Sequence, residues 1–413
     1  MKSIRITIVG GGFGGVYVLK KLHKIFHQDR RVEITLISEK NYFLFTPLLH
    51  EVATGSINPI NIIEPIRKIL GCCLHTFHVG KVTKVNLDRH TLDTTAGSWT
   101  YDYLILAPGA ETNFYDILGS KENSFTLKSL EDAIKLKNHC INIIDQASFI
   151  IDETERKKML QFVVIGGGPT GVELASELEE FLKETFSHYY PKKIINDISI
   201  VIVQRSKEIL SQFPKPLQEK SLKIIEKKGV KVLLNSVVKK VTADTVELED
   251  GRILETKTVV WVAGVKPSEI LFEEMVALEP NGKMKVNEYL QLEKYPFVYA
   301  IGDIAGAKNK DGTFIPMLAQ VAIGEAETVA GNIKNQIDEQ ALKSFTYHSN
   351  GVLVSLGKWM AVGQIFNFNL SGHFAWWVWR TIYLSKLISW HKKVKVAVDW
   401  TINLFSSRDI SQF

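Results

Sequence analysis

Two glycine-rich turns of the form G-x-G-x-x-G constrain this chain more than any other feature. Gly10-Gly11-Gly12-Phe13-Gly14-Gly15 follows the apolar run Ile4–Val9, and Gly166-Gly167-Gly168-Pro169-Thr170-Gly171 follows Phe162–Ile165. Both open onto helical patterns. In such a turn the first glycine permits the tight reversal, and the second lets the backbone approach a pyrophosphate. The third lets the helix pack close to its strand, so that the helix N-terminus faces the phosphates. One such turn is a weak signal, because glycine-rich turns are common. Two, each between a strand and a helix, imply two dinucleotide sites in one chain. That pairing points to electron transfer between a flavin and a nicotinamide.

The chain has 413 residues, enough for two or three domains, and its 45% hydrophobic content suffices for real cores. Three cysteines supply no disulfide framework and fit a reducing compartment. With the first strand beginning at Ile4, no signal or transit peptide is expected. A net charge of +5 is too mild to suggest nucleic acid. The distribution says more, since Arg380, Lys386, Lys392, Lys393 and Lys395 crowd the C-terminal region.

The first unit runs from strand Ile4–Val9 through a helix over Gly14–Phe26 to strand Val32–Ser38, ending at Glu39. An acid there can accept hydrogen bonds from both ribose hydroxyls of an adenosine; the alternative is a solvated strand-end charge. The run Tyr103–Ala107, closed by Pro108-Gly109, reads as a buried strand leading to a crossover. A second such unit spans Met159 to Gln204, with a helix over Gly171–Glu184 and a strand over Ile198–Val203. A helix over Leu217–Lys228 and strands near Val230–Leu234, Val246–Leu248 and Thr258–Ala263 complete it. Tyr295–Asp303 then reads as the last strand of the first domain, to which the chain returns. The expected architecture is α/β, with two Rossmann-like dinucleotide-binding domains, the second inserted in the first. A first flavin-domain part covers 1–110, the nicotinamide domain 111–294, the second flavin-domain part 295–344, and a C-terminal amphipathic helical membrane-anchoring region 345–413.

Within that last region, the stretch opening at Gly372 holds five of the eight tryptophans: Trp376, Trp377, Trp379, Trp390 and Trp400. Its apolar run Phe374–Ile388 is broken by Arg380 and Lys386 and is too short to cross a bilayer of ~30 Å. Further on, Lys392, Lys395, Asp399 and Asn403 share one helical stripe, and Val394, Val398, Ile402 and Phe405 another. Tryptophans and lysines on an amphipathic helix suggest an anchor lying on a membrane surface. The alternative is a helical hairpin that buries its aromatics in a dimer interface or core.

With these motifs in place, the chain resembles the type II NADH:quinone oxidoreductases over nearly its whole length. The loop Asn41-Tyr42-Phe43-Leu44-Phe45-Thr46-Pro47, continuing to Gly55, looks like that family's flavin-contacting loop. Tyr101-Asp102-Tyr103-Leu104-Ile105-Leu106-Ala107-Pro108-Gly109 resembles its Y-D-x-L-V-x-A-x-G strand. Gly166–Gly171 with Val172-Glu173-Leu174-Ala175 matches its nicotinamide motif, and Ala300-Ile301-Gly302-Asp303 its second flavin motif, whose Asp binds the ribityl chain. Pro316-Met317-Leu318-Ala319-Gln320-Val321-Ala322 is similar to the A-Q-x-A segment where flavin, quinone and nicotinamide converge.

The resemblance implies FAD as cofactor, NADH (with NADPH possible) as electron donor and quinone as acceptor, without proton pumping. It assigns cofactor contacts to Gly10, Gly12, Phe13, Gly14, Gly15, Glu39, Lys40, Thr46, Pro47, Ala107, Gly109, Gly302, Asp303, Ala319 and Gln320. On the nicotinamide side it assigns Gly166, Gly168, Pro169, Thr170, Gly171, Glu173, Gln204, Arg205 and Gly264. Glu173, a carboxylate on the first turn of its helix, and Gln320 are the expected catalytic residues. Glu173 would orient the nicotinamide and relay a proton, or else simply sit favourably in the helix dipole. The implied partners are a membrane lipid surface, quinone and a second copy of the chain, at the cytoplasmic face of the inner membrane.

Three departures stand out: Pro108 where Thr is usual, Gly324-Glu325 where a second glutamine is expected, and Gln204-Arg205 at a strand tip where NADH-specific members carry an acid. That last pair predicts some use of NADPH. No metal site is expected: Cys72-Cys73-Leu74-His75-Thr76-Phe77-His78 fits no zinc spacing, and Cys140 has no partner motif. A sulfide:quinone oxidoreductase shares the fold but needs cysteines facing the flavin, and a redox-sensing flavoprotein would not need the A-Q-x-A segment.

Overall fold

The computed structural model describes residues 3–70, 75–349 and 351–412, which fall into two compact units. The first comprises Met1–Leu44, Ile63–Glu111 and Lys266–His348; the second comprises Phe45–Ile62, Thr112–Val265 and Ser349–Phe413. Within Cys72–His78, the residues Cys72, Cys73 and Leu74 lie outside the described residues, and His75–Val79 forms a strand.

In the first unit a six-stranded sheet is built around Ile4–Val9. Its spatial order is Gln291–Leu292, Tyr295–Ala300, Tyr103–Leu106, Ile4–Val9, Val32–Ser38, His75–Val79. All neighbours are parallel except the first pair. A parallel strand covered on both faces needs apolar residues at nearly every position, and Ile6, Ile8 and Val9 are buried accordingly. The helices Phe13–Phe26 and Ala319–Ile337 pack together over one face, with Val18, Leu22, Val329 and Ile333 in the core. Tyr295–Ala300 pairs with Tyr103–Leu106, so the chain does return to the first sheet. The residues Lys266–Leu292, read from sequence as nicotinamide domain, also pack in this unit; the Val85 N–H donates to the Leu271 carbonyl at 2.9 Å.

The second unit holds a four-stranded parallel sheet ordered Val230–Leu233, Ser199–Val203, Gln161–Ile165, Thr258–Trp261. Its glycine-loop helix spans Pro169–Glu179, shorter than Gly171–Glu184 as read from sequence. It passes into a π-turn over Glu180–Thr185, a distortion often found at functional sites. Cys140 was expected in a polar helix; it lies on the buried face of Leu130–Ser148, and burial pushes its thiol up to about 12.

The same unit carries an antiparallel sheet of Val352–Ser355, Ala361–Ile365 and Phe368–Gly372, followed by helices His373–Lys386 and Trp390–Phe405. The last helix is amphipathic with its faces reversed. Its polar stripe turns inward except for exposed Lys395: Lys392 Nζ donates to the Ile60 carbonyl at 2.6 Å, and Asp399 accepts from Asn61 Nδ2 at 2.7 Å. Asn403 donates to the Ser56 carbonyl. The apolar stripe Val394, Val398, Ile402 and Phe405 faces out, with Phe405 87% exposed. The tryptophans divide. Trp376, Trp379 and Trp400 are buried, whereas Trp377 and Trp390 are exposed. Three of these aromatics thus belong to the core, and two stand in the surface. Among the described residues no helix is long and apolar enough to cross a membrane.

Candidate dinucleotide sites

In the first unit the turn after Ile4–Val9 admits only glycine at its start. Gly10 sits at φ +107°, and a Cβ there would come within 2.1 Å of the Ala107 carbonyl oxygen. Gly15 presses against the Gly10 carbonyl, so the helix Phe13–Phe26 starts directly over its strand. A Cβ on Gly12 would meet nothing within 4 Å, and Gly12 caps that helix without any side-chain hydrogen bond. The loop is thus an open cradle of N–H groups at a helix N-terminus, the arrangement that binds a phosphate. Gly14 faces the side chains of Ile301 and Ala107. Phe13 is half-buried, its ring edge-on to Phe43 at 5.0 Å. Glu39 and Lys40 are exposed immediately past the end of Val32–Ser38, where a ribose would lie. These groups fit the adenosine diphosphate half of FAD.

The second flavin motif begins the short 3-10 turn Gly302–Ile304, with Asp303 half-exposed. Glu325, noted from sequence only as a departure, receives the Gly302 N–H on its carboxylate. It is 1% exposed, and burial pushes it up to about 8. It therefore ties the second flavin motif to the helix carrying Ala319 and Gln320. Gln320 donates from Nε2 to the Tyr347 hydroxyl at 2.6 Å, a partner no sequence spacing indicated. At Gly324, where a second glutamine was expected, a Cβ would make an ordinary contact with the Phe345 ring at 3.4 Å, and nothing in the structure explains the substitution. Gly109 is at φ +83° with open space about it.

In the second unit the other glycine turn repeats the pattern. Gly166 is at φ +115° against Ala263, Gly171 presses on the Gly166 carbonyl, and Gly168 faces open space. Pro169 starts the helix, and Thr170 is exposed beside it. Gln204 does not project as a free strand-tip side chain. Its Oε1 accepts the Gly167 N–H at 2.8 Å, and its Nε2 donates to the Glu208 carbonyl and to Ser206. Arg205 next to it is exposed. The Gly264 carbonyl accepts from the Asn113 N–H at 3.1 Å, and its Cα abuts the Tyr115 hydroxyl. Thr46 and Pro47 open the 3-10 turn Thr46–Leu48 of this unit.

Glu173 is buried at 6% exposure. Its Oε1 accepts the Ser355 N–H at 3.1 Å, and its Oε2 lies 3.8 Å from His50 Nδ1. Burial raises its carboxyl well above the usual range, with the Ser355 N–H opposing. A carboxylate held only by the helix dipole would titrate low instead. Three further acids are buried in this unit, Glu51, Glu177 and Glu180, and the first two add to the rise at Glu173. Among the described residues no group of His, Cys, Asp and Glu could hold a metal ion.

Known proteins match this arrangement along the whole chain. The family model for the pyridine nucleotide-disulphide oxidoreductases matches residues 4–326, and the model for the NDH2 C-terminal domain matches 349–409. A probable NADH dehydrogenase of Dictyostelium discoideum is 31% identical, over 100% of this chain and 92% of its own. The type II NADH:quinone oxidoreductase Ndh of Mycobacterium tuberculosis is 29% identical, over 98% and 89%. The structure of NDH2 from Plasmodium falciparum in complex with NADH superposes with a TM-score of 0.91. At 23% identity, over 99% of this chain and 100% of that one, it is a likeness of fold.

Proposed function

This chain belongs to the pyridine nucleotide-disulphide oxidoreductase family and carries an NDH2 C-terminal domain, and from that premise we propose that it is a peripheral membrane flavoenzyme oxidising NADH with a quinone. The observation that carries this function is the pair of open glycine cradles, one per unit, each at the uncapped N-terminus of a helix. FAD supplies the two-electron chemistry when bound, accepting electrons from NADH and passing them to the quinone. No proton is pumped across the membrane.

The residues of both units have defined work in this scheme. Gly10–Gly15 and Gly166–Gly171 hold pyrophosphates through backbone N–H groups. Tyr347 fixes the Gln320 amide so that its carbonyl end stays available at the start of its helix. Glu173, anchored at Oε1 by the Ser355 N–H and inclined by burial to its neutral form, is the group placed to hold a proton at Oε2 for delivery to the reacting centre. The outward apolar stripe of Trp390–Phe405, with exposed Trp377, Trp390 and Lys395, suits a lipid surface. The cytoplasmic face of the membrane and the pairing of two copies rest on the resemblance alone.

Exposed Arg205, with no acid at the strand tip to repel a 2′-phosphate, supports use of NADPH beside NADH. The test is anaerobic addition of NADH to the purified protein. The yellow flavin absorbance should bleach, and a quinone should restore it. A protein that bleaches and is restored by oxygen but by no quinone would defeat the proposal.

A further inference from the structure

Besides Glu173, the second unit buries more ionisable side chains than its fold requires. Glu173, Glu177 and Glu180 recur along one face of the helix that leaves the glycine turn and its π-turn, and all three are at most 6% exposed. Glu51, from the short helix Leu49–Ala53, is 4% exposed and accepts from Trp400 Nε1. Arg408, from the chain's end, reaches in between them. Its Nη2 lies 2.8 Å from Glu177 Oε2 and 3.0 Å from Glu180 Oε2.

Glu51, Glu177 and Glu180 line a narrow, partly open cavity of ≈ 30 Å³, together with Arg380 and Arg408. A cavity of that size with polar walls holds a water molecule, given two to four partners. Arg380, on the wall of this space, has a buried Nε with no hydrogen-bond partner, and so has His50, next to Glu51 in sequence, at Nε2, which accepts when the ring proton is on Nδ1. Unpartnered buried polar atoms are costly unless water reaches them. The set therefore has a space of a water's size, unpartnered polar atoms, and acids around it.

We propose that Glu51, Glu177 and Glu180, bridged by water in this cavity, form a proton store that recharges Glu173 through His50. This rests on the function proposed above. NADH gives two electrons and one proton as hydride, and a quinone needs two electrons and two protons to become quinol. One proton per turnover must therefore come from the medium. The store holds it, His50 takes it and passes it from Nδ1 across 3.8 Å to Glu173 Oε2 as that carboxyl loses its own, and the store refills from solvent. Refilling enters at Glu180, whose carboxylate is paired with the partly exposed Lys228.

The protonation states suit such an exchange. Burial, aided by Glu177, pushes Glu51 up to about 8, while Trp400, Arg380 and Arg408 oppose it. Burial also raises Glu180 to about 6, with Glu177 adding to it and Lys228 and Arg408 opposing. Burial would raise Glu177 too, but Arg408 and His50 hold it below its ordinary range. Burial drops His50 to about 4, so it is neutral at pH 7 and can pass a proton through its ring. At neutral pH the cluster thus holds both a protonated and an ionised carboxyl.

E51Q tests this in the full-length, flavin-loaded protein on vesicles. Glu51 is largely protonated at neutral pH, so glutamine preserves its shape and should fold. The expected result is that flavin reduction by NADH keeps its rate, while reoxidation by quinone slows roughly ten- to a hundredfold. The wild-type pH profile of reoxidation should break near 8, and E51Q should lose that break whereas E51D, which still titrates, should restore it. Infrared spectra of the resting protein provide a readout apart from turnover. A protonated-carboxyl band that disappears as pH rises through 8 should be absent in E51Q. Unchanged bands with an unchanged pH profile would overturn the proposal. So would both half-reactions slowing alike. A wild-type flavin that quinone cannot reoxidise would instead defeat the proposed function, and this store with it.

Discussion

Gln204 accepts the Gly167 N–H on its side-chain oxygen at 2.8 Å, so the residue at the strand tip is part of the nucleotide turn. Its amide nitrogen is committed to the Glu208 carbonyl and Ser206. On the proposed use of NADPH, selectivity for the 2′ position falls to the exposed cations that follow, Arg205 and Lys207. R205A should lower kcat/KM for NADPH by roughly ten- to a hundredfold, the loss of a charged hydrogen bond worth about 1.5–3 kcal/mol. NADH should be unaffected. Q204E should do more than repel a phosphate: its carboxylate would face the Glu208 carbonyl, lowering thermal stability as well. Comparing kcat/KM for both nucleotides across these variants decides the matter; equal losses for NADH and NADPH in R205A would contradict it.

Because the last helix turns its polar stripe inward, its outward residues can be changed without disturbing the fold. I402E and F405E alter side chains 53% and 87% exposed, and each should shift stability by no more than about 0.5 kcal/mol. Both should abolish co-sedimentation with anionic vesicles. W400A removes a buried ring that bonds Glu51 and should instead destabilise the unit by about 3–5 kcal/mol. Deleting the tail would confuse these effects, since Arg408 and three tryptophans belong to the interior. Vesicle binding retained by the double variant I402E/F405E would remove the apolar stripe from the account.

The glycines of the first cradle should separate binding from folding. Gly12 has open space where a Cβ would go, so G12A should fold normally yet lose FAD, its methyl occupying the phosphate's place. G10A places a Cβ on the Ala107 carbonyl in a left-handed backbone and should destabilise the unit itself. Flavin-to-protein ratio and melting temperature, measured together, distinguish the two. Full flavin occupancy in G12A would be the contrary result.

Glu325 gives the first unit a pH-dependent stability. Its folded pKa is raised to about 8 by burial, with the Gly302 N–H and Lys283 opposing and Asp303 adding to the rise. The unfolded carboxyl ionises at its ordinary, lower pKa, so the native state retains a proton that the unfolded state has lost. Stability therefore falls as pH climbs from the ordinary carboxylate range to about 8, by up to roughly 1.4 kcal/mol per unit. E325Q keeps an acceptor for the Gly302 N–H without titrating. Its melting temperature should fall less steeply with pH than the wild type's over that window. Parallel slopes would show that Glu325 does not titrate there.

Much of this was legible because glycine turns write backbone geometry directly into sequence. The strands Ile4–Val9 and Val32–Ser38 and both cradles sit where composition and spacing put them. What sequence concealed are contacts made by residues far apart in the chain. Glu325 looked like a substitution in a motif, yet it binds the Gly302 N–H, 23 residues away. Gln204 looked like a ribose ligand, and its bonds to the turn depend on a strand-to-loop geometry no periodicity encodes. The stripes of Trp390–Phe405 were visible, but not which one faced inward. That depended on Ile60 and Asn61, more than 300 residues earlier. Arg408 and Glu177 likewise meet only in the fold.

The most direct test places the protein on the outside of sealed vesicles containing quinone, with a pH indicator in the lumen and another in the medium. Added NADH should be oxidised with equimolar formation of quinol, and one proton per NADH should disappear from the outer medium while the lumen stays unchanged. NADH oxidation without quinol formation, or acidification of the lumen coupled to turnover, would contradict the account.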